Sequence, residues 1–440
     1  MKRHETLVQQ AAHAVRQAQG GRARLGFTKS SVSHFVPDPY RRDTRARVDL
    51  TSLDRLLSID PQARTATAEP GLTFAELVRE TLKHGLLPTV VPELETITVG
   101  GAVAGCSLES MSYRYGGFHD SCLEYDVLTG TGDVLTLSRE HEPELFEMVH
   151  GSYGTLARLT KATFRLIPAK GFVHLTYRTH RTFEAFQADL RERCDEGDFD
   201  FVDGIVHAPD QLVLCLGRMV DSAPRVSDYR GTGIFYKSTA RLAEDWLTTW
   251  DYCFRYDREA HWMTATVPPL QWKPVRATIG RPFLGSTNLL RWSERLAPIL
   301  RLKRRPDVVV DVFLPARRFE EFFHWYVKDY DFWPLWIVPY RIERPYPWIS
   351  DAHAARMDDT LMIDAAVYGK RNDHPTIDAS EVLEKKVFEL DGIKTLISRN
   401  HYDEATFWQI YSKPRYDAAK ARLDPHDVFG GLYEKFRPKT

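Results

Sequence analysis

The sequence predicts an α+β protein of more than one domain. Three observations lead there. Short alternating apolar stretches are interleaved with a well-capped helix before residue 90. A tight Thr-Gly-Thr-Gly-Asp turn joins two strand-like runs at residues 122–137. Beyond residue 171, a β-α-β-β order occurs twice. The chain has 440 residues, enough for two or three domains.

The elements follow in order. Leu7, Val8, Ala11, Ala12 and Val15 share one helical face, and Gly20-Gly21 ends it. Arg22 to Phe27 reads as a short strand. The next stretch, Gly26-Phe-Thr-Lys-Ser-Ser-Val-Ser-His34, is rich in hydroxyls. It is either a polar surface loop or an anion cradle in which hydroxyls, backbone N–H groups and Lys29 meet a pyrophosphate. Alternation at Val48 and Leu50, at Leu57 and Ile59, and at Thr65 and Thr67 predicts short strands. In Glu69-Pro-Gly-Leu-Thr-Phe-Ala-Glu76, Thr73 caps a helix and Glu76 completes a capping box. Phe74, Leu77, Val78 and Leu82 form its buried face, and Gly85 stops it.

Leu87 to Glu93 reads as a strand bounded by prolines. It leads to Thr98-Val-Gly-Gly-Ala-Val-Ala-Gly105, a run of small residues in apolar surroundings. Glycine lets a ligand approach the backbone closely, but the same composition also arises where elements pack tightly. Cys122–Leu128 and Val134–Leu137 form a hairpin about Thr129–Asp133. Pro143–Val149 is a short helix, Gly151–Leu156 a second small-residue turn, and Ala162, Phe164 and Leu166 lie on a strand ending at Pro168.

Val173–Tyr177, Phe183–Leu190, Phe201–His207 and Leu212–Leu216 make the first β-α-β-β run. Val308–Leu314, Phe319–Tyr326, Trp333–Val338 and Leu361–Tyr368 make the second. These are read as pseudo-repeated halves of one antiparallel sheet backed by helices. Between them lies an aromatic stretch with Trp246, Trp250, Tyr252, Phe254, Tyr256, Trp262 and Trp272. It is either core at helical spacing or a lid over a lipid-like substrate.

Composition narrows the function classes. A net charge of −1 gives no electrostatic reason for a nucleic-acid partner. No apolar run reaches the roughly 18 residues of a membrane-spanning helix. Glu5, Gln9 and Gln10 interrupt any signal-peptide core near the start. Five cysteines without a CxxC spacing predict reduced thiols and no metal site. The expectation is a cytoplasmic protein. The basic run Arg301 to Arg305, a solvated face in the simplest reading, offers a peripheral contact with an anionic membrane as the alternative.

Several motifs then occur in the order seen in flavoproteins of the vanillyl-alcohol oxidase type, which carry a PCMH-type FAD-binding domain. They are Glu69–Leu77, Leu87–Glu93, Thr98-Val-Gly-Gly101, Tyr115-Gly-Gly-Phe-His-Asp120, the Gly130–Asp133 turn and Gly154-Thr155-Leu156. Val91-Pro-Glu-Leu-x-x-x-Thr-Val-Gly-Gly101, Glu109-Ser-x-Ser-x-x-Tyr-Gly116 and Arg165-Leu-Ile-Pro-Ala-Lys170 resemble signatures of the delta-24-sterol reductases within that class. So do Asp311-Val-Phe-Leu-Pro315 and Ile363-Asp-Ala-Ala-Val-Tyr-Gly369.

The resemblance implies a two-subdomain FAD-binding domain over residues 1–170 and a substrate (cap) domain over 171–400. The cap would be an antiparallel sheet with helices, carrying an aromatic-rich insertion at about 220–306. Residues 401–440 would return to the FAD domain, as Asp424-Pro-His-Asp-Val-Phe429 resembles the string that does so in this class. By position, Lys29, Ser30, Ser31, Val32 and Ser33 would lie in the pyrophosphate loop. Thr98, Val99, Gly100, Gly101, Gly105, Ser107, Ser110 and Gly116 would lie along pyrophosphate and flavin, and Gly154, Thr155 and Leu156 near the adenosine. The Gly-Gly-His run of covalent flavoproteins is missing here, so the FAD is expected to be non-covalent.

A flavin exchanges hydride, and the protein supplies orientation and a proton partner. Tyr402, Glu109, Tyr115 and His119 are the candidates to donate or relay that proton, with Asp311 or Glu109 able to stabilise positive charge. The sequence does not choose among them. The leading expectation is reduction of a C=C bond in an apolar isoprenoid or sterol-like molecule, with NADPH or NADH as donor. No separate Gly-x-Gly-x-x-Gly fingerprint is present for the nicotinamide. An oxidase or dehydrogenase of an alcohol or hydroxy acid, and a non-catalytic lipid-binding protein on a flavoprotein scaffold, stand as alternatives. The oligomeric state is not legible.

Overall fold

Strand alternation and helix caps do what the sequence predicts in the computed structural model, which describes residues 2–19, 24–28, 46–288, 307–397 and 399–437. The N-terminal helix Lys2–Gln19 lays Ala11, Ala12 and Val15 against a parallel pair, β1 (Leu25–Thr28) and β2 (Ala46–Asp49). A second sheet has the order β3-β4-β8-β6-β7. It is built from β3 (Leu56–Asp60), β4 (Thr65–Ala68), β6 (Cys122–Leu128), β7 (Val134–Ser138) and the long β8 (Arg158–Pro168), with β5 (Leu86–Pro88) paired on the far end of β8. Helix Phe74–Leu82 packs Phe74, Leu77 and Val78 into this core. Thr73 accepts from the Glu76 N–H at 3.3 Å, the predicted cap, but the Glu76 carboxylate takes the Thr73 hydroxyl at 3.0 Å instead of the backbone N–H, so the reciprocal bond of the predicted capping box is not made.

The predicted strand over Leu87–Glu93 is shorter in the structure. Only Leu86–Pro88 pairs, because Pro88 and Pro92 have no N–H to continue a ladder. The chain then runs unpaired to Glu93.

An eight-stranded antiparallel sheet forms the second layer. Its strands are β9 (Phe172–His180), β10 (Phe201–Ala208), β11 (Gln211–Val220), β12 (Glu244–Thr248), β13 (Val308–Pro315), β14 (Leu335–Arg341), β15 (Leu361–Lys370) and β16 (Ile393–Lys394). The order β12-β9-β11-β10-β14-β15-β13-β16 is a mirrored pair of triplets that meet where β10 pairs with β14. These are the two pseudo-repeated halves. Residues of alternate parity separate the sheet's faces. One face, with Val202, Val206, Leu214, Val312, Ile363 and Val367, is covered by helices Phe183–Glu196, Phe319–Trp325 and Ala379–Glu389. The other face turns toward the FAD-domain core and shares its hydrophobic cluster.

The aromatic stretch is not one helix. Trp246 sits on edge strand β12, and Trp250, Tyr252 and Phe254 follow on or just after the short helix Thr249–Cys253. Trp262 lies between two 3₁₀ turns. Thr248 caps the short helix, and Pro268 and Pro269 prevent a longer one farther on. The C-terminal segment docks on the first domain: the Gly130 N–H donates to Leu423 O at 2.7 Å, and Tyr416 OH donates to Thr155 Oγ1 at 2.9 Å.

Candidate active site

The glycine run folds as a six-residue helix, Val99–Ala104, with Thr98 as its cap. Its two adjacent glycines do different work. A Cβ on Gly100 would lie 2.6 Å from Pro70 Cβ, so Gly100 is there for close packing. Gly101 faces outward, and a Cβ there would meet only Thr98 Oγ1, at 3.2 Å. The first N–H groups are already used: Val99 donates to Leu72 O, Gly100 to Pro70 O and Gly101 to Thr98 Oγ1. Any ligand contact through this run therefore falls to the Gly101 surface and to half-buried Gly105, Cys106 and Ser107. The second small-residue turn comes to the same place, where Tyr153 N–H donates to Ala104 O and Gly151 lies beside Cys106 and Trp348. Gly151, Tyr153 and Gly154 all have positive φ. Together the two turns line one half-buried seam.

The other predicted cofactor positions are more enclosed. Thr155 and Leu156 are buried beneath the C-terminal segment. Gly116, at φ +72°, leaves room for the Asp120 carboxylate, which accepts from Gly117 N–H at 2.7 Å. Ser110 is buried between Glu109 and the Tyr252 hydroxyl. Lys29 to Ser33 lie outside the described residues, as do Arg301 to Arg305.

The four predicted proton-handling residues do not gather: no hydrogen bond, ion pair or ring contact joins any two of them. Tyr402 donates its hydroxyl to Glu384 O at 3.1 Å, midway along helix Ala379–Glu389. Tyr115 is half-buried near Arg114. His119 is fully buried, and burial holds its imidazole below the ordinary histidine range. Its ring lies 4.9 Å from His150 and 5.3 Å from Tyr346, with neither nitrogen hydrogen-bonded.

Glu109 alone reaches the inner sheet face. Its carboxylate is 2.7 Å from Arg255, which also donates to Asp203 at 3.1 Å. Asp203 accepts further from Trp336 Nε1 at 2.7 Å and Tyr256 OH at 3.4 Å. Burial pushes Glu109 up to about 7 although Arg255 pulls it down, since Asp203 shares the same cation.

A second group of acids shares this face. Glu93, brought in by the proline-bounded segment, meets His261 Nε2 at 2.7 Å. Burial raises Glu93, but contact with His261, a backbone hydrogen bond and the charge of Arg255 together hold it below the ordinary carboxyl range. Ala260 and His261 both have left-handed backbones, φ +42° and +64°, a strained pair that turns the imidazole inward. Around it stand Tyr368 at 4.2 Å, Tyr256 and Trp336 at 5.3 Å and Trp262 at 5.9 Å. Tyr368 donates its hydroxyl to half-buried Asp311. Burial, with Glu93 nearby, lifts Asp311 to about 6. Asp364, on the neighbouring strand, is pushed well above the carboxyl range by burial, Asp311 and Glu93.

Residues 8–138 match the family model of an FAD binding domain. The first domain is thus an FAD-binding domain of the PCMH type, and the chain is an FAD-linked oxidoreductase. It is 26% identical to the delta(24)-sterol reductase of Homo sapiens over 90% of its length and 78% of that protein. The Arabidopsis thaliana delta(24)-sterol reductase is 25% identical over 90% of the chain and 77% of that protein. Cytokinin dehydrogenase 7 of Oryza sativa subsp. japonica is 37% identical, over 30% of the chain and 26% of its own length.

The oxidoreductase's seam fits the cofactor. Gly101 is open without a packing reason, and Trp348 Nε1, beside Gly151, is a buried donor with no acceptor among the described residues. An acceptor-rich ligand such as FAD satisfies such a donor. Gly101, Gly105, Cys106, Ser107, Gly151 and Trp348 are the described residues placed to hold it. Glu93, His261, Asp203, Arg255, Asp364 and Tyr368 were not singled out for chemistry in the sequence. Their signal was faint: single acids inside otherwise apolar strands, as in Val308-Val-Val-Asp311 and Met362-Ile-Asp364-Ala-Ala.

Proposed function

We propose that this oxidoreductase reduces a C=C bond of an apolar isoprenoid or sterol-like molecule, with NADPH or NADH as electron donor and FAD held non-covalently. The observation that supports it most is the extent of the likeness. Similarity to the sterol reductases spans 90% of the chain and so includes the cap sheet, whereas that to the cytokinin dehydrogenase spans 30%.

A flavin held by this seam would supply hydride chemistry for one carbon of the alkene. The chain must supply an apolar wall and a proton for the other. Trp336, Tyr368, Trp262 and Tyr256 make an aromatic wall on the inner sheet face. Asp311, Asp364 and Glu109 are acids that this environment keeps protonated at higher pH than an exposed carboxyl. A neutral acid suits protonation of a weakly basic alkene. Glu93, held ionised by His261, offers negative charge where positive charge develops on carbon.

Anaerobic mixing with NADPH tests the direction of the chemistry. Rapid bleaching of the yellow flavin, reversed by a delta(24) sterol, is the expected result. Bleaching only after an alcohol is added would replace this reading with an alcohol dehydrogenase. Acid precipitation is expected to leave the flavin in the supernatant, and a yellow pellet would overturn non-covalent binding.

A further inference from the structure

Asp364 is a buried acid that no contact in the fold accounts for. It lies in β15 on the face turned to the FAD-binding domain, and only 4% of it is exposed. No donor among the described residues reaches its carboxyl, and its Oδ1 is buried and unpartnered. Its direct cross-strand neighbours, Phe313 on β13 and Val338 on β14, are apolar. The titratable groups around it are of one kind. Asp311 faces it diagonally from β13, Tyr368 follows two pairs along its own strand and bonds to Asp311, and Glu93 approaches from the FAD domain with His261 on its carboxylate. No lysine or arginine contributes to its electrostatic surroundings. A purely structural aspartate would be expected to look like Asp203, on the same face, which accepts from Arg255, Trp336 and Tyr256.

We infer that Asp364 is the acid that protonates the substrate, an apolar molecule with an isolated C=C bond. This rests on the reductive reading above. In the step, the O–H bond of Asp364 breaks and its proton forms a C–H bond at one alkene carbon. The electron pair for the other C–H bond arrives as hydride from the reduced flavin, so the alkene is reduced by two electrons and the flavin is oxidised by two. The carboxylate left on Asp364 regains a proton from water. Half-buried Asp311, joined to Tyr368, is the solvent-side member of the group and the entry for that proton.

Two measurements on the holoenzyme test this. In the first, infrared difference spectra of wild type and Asp364→Asn are compared at neutral pH in H2O and D2O. A deuterium-sensitive protonated-carboxyl band present in wild type and missing in the variant is expected. Its absence from wild type would overturn the inference, whatever the substrate. In the second, the flavin is reduced anaerobically with dithionite and mixed with a delta(24) sterol. Asp364→Asn is expected to keep its flavin spectrum and to melt no earlier than wild type while sterol-driven reoxidation slows about 100-fold or more. Asp364→Glu is expected to recover part of the rate. Reoxidation of Asp364→Asn within about threefold of wild type would overturn the role. A wild-type enzyme that the sterol cannot reoxidise would instead overturn the reductive reading, and the infrared result would still decide where the proton sits.

Discussion

Two groups of buried acids share one face of the eight-stranded sheet, and they differ in how their charge is met. In the first, Asp203 and Glu109 share Arg255, whose guanidinium also lies 4.2 Å from the Tyr252 ring and 4.7 Å from that of Tyr256. In the second, Glu93, Asp311 and Asp364 have one imidazole among them. Burial alone does not set the state of an acid here. What meets each carboxylate does. Arg255 sits on both Asp203 and Glu109, so the first group is a lock joining the FAD domain to the cap sheet, even though burial still pushes Glu109 up to about 7. In the second, only Glu93 meets His261 directly, and burial raises Asp311 and Asp364, which makes this group a proton store.

The largest effect is expected from removing the cation of the lock. Arg255→Met strands Asp203 and Glu109 in the interior, a change that typically costs about 3–5 kcal/mol. Thermal denaturation is expected to show a large fall in midpoint, and a fall of only a degree or two would erase the distinction between the two groups.

Neutralising the other group is expected to do the opposite. Asp311 titrates at about 6 in the folded chain, against 3.8 for an ordinary aspartate. Between those values the folded state holds the extra proton. The stability tied to this group is therefore present below about pH 4 and is lost as pH rises through 6. Asp311→Asn removes that loss while its amide oxygen can still accept from Tyr368. Relative to wild type, the variant is expected to match near pH 4 and to gain up to about 3 kcal/mol at pH 8. Denaturant titrations at the two pH values measure the difference. An equal effect at both would show that Asp311 is already ionised throughout.

The same contrast explains what was legible in the sequence. Fold follows from local signals: the Thr73 cap, the hairpin turn at Thr129–Asp133 and the alternation in β8 each lie within a dozen residues. The pseudo-repeated sheet halves were legible for the same reason. Asp311 and Glu109 were legible as acids suited to stabilise charge, but their grouping with Glu93, Asp203, His261 and Asp364 was not, because these residues meet only after the mirrored triplets have paired. Their charge states then depend on neighbours from both domains. Tyr402, which looked suited to proton transfer as an isolated residue, is committed to the mid-helix carbonyl of Glu384. The aromatic stretch, read as core at helical spacing or as a lid, is divided by caps and prolines into several short elements.

The smallest expected effect separates packing from ligand contact within two adjacent glycines. Gly100→Ala places a Cβ against Pro70, at a spacing side chains do not tolerate. It is expected to cost about 1–3 kcal/mol, as overpacking does, in flavin-free and flavin-loaded protein alike. Gly101→Ala meets only the cap hydroxyl at 3.2 Å, in a helical backbone where alanine is favoured over glycine. Its stability is expected to stay within about 1 kcal/mol of wild type or to rise. The new methyl group stands on the open side of the seam, so FAD affinity, measured by quenching of flavin fluorescence, is expected to weaken about tenfold. A Gly101→Ala protein that binds FAD as wild type does would place the cofactor away from this surface. The glycine pair would then be a packing feature at both positions.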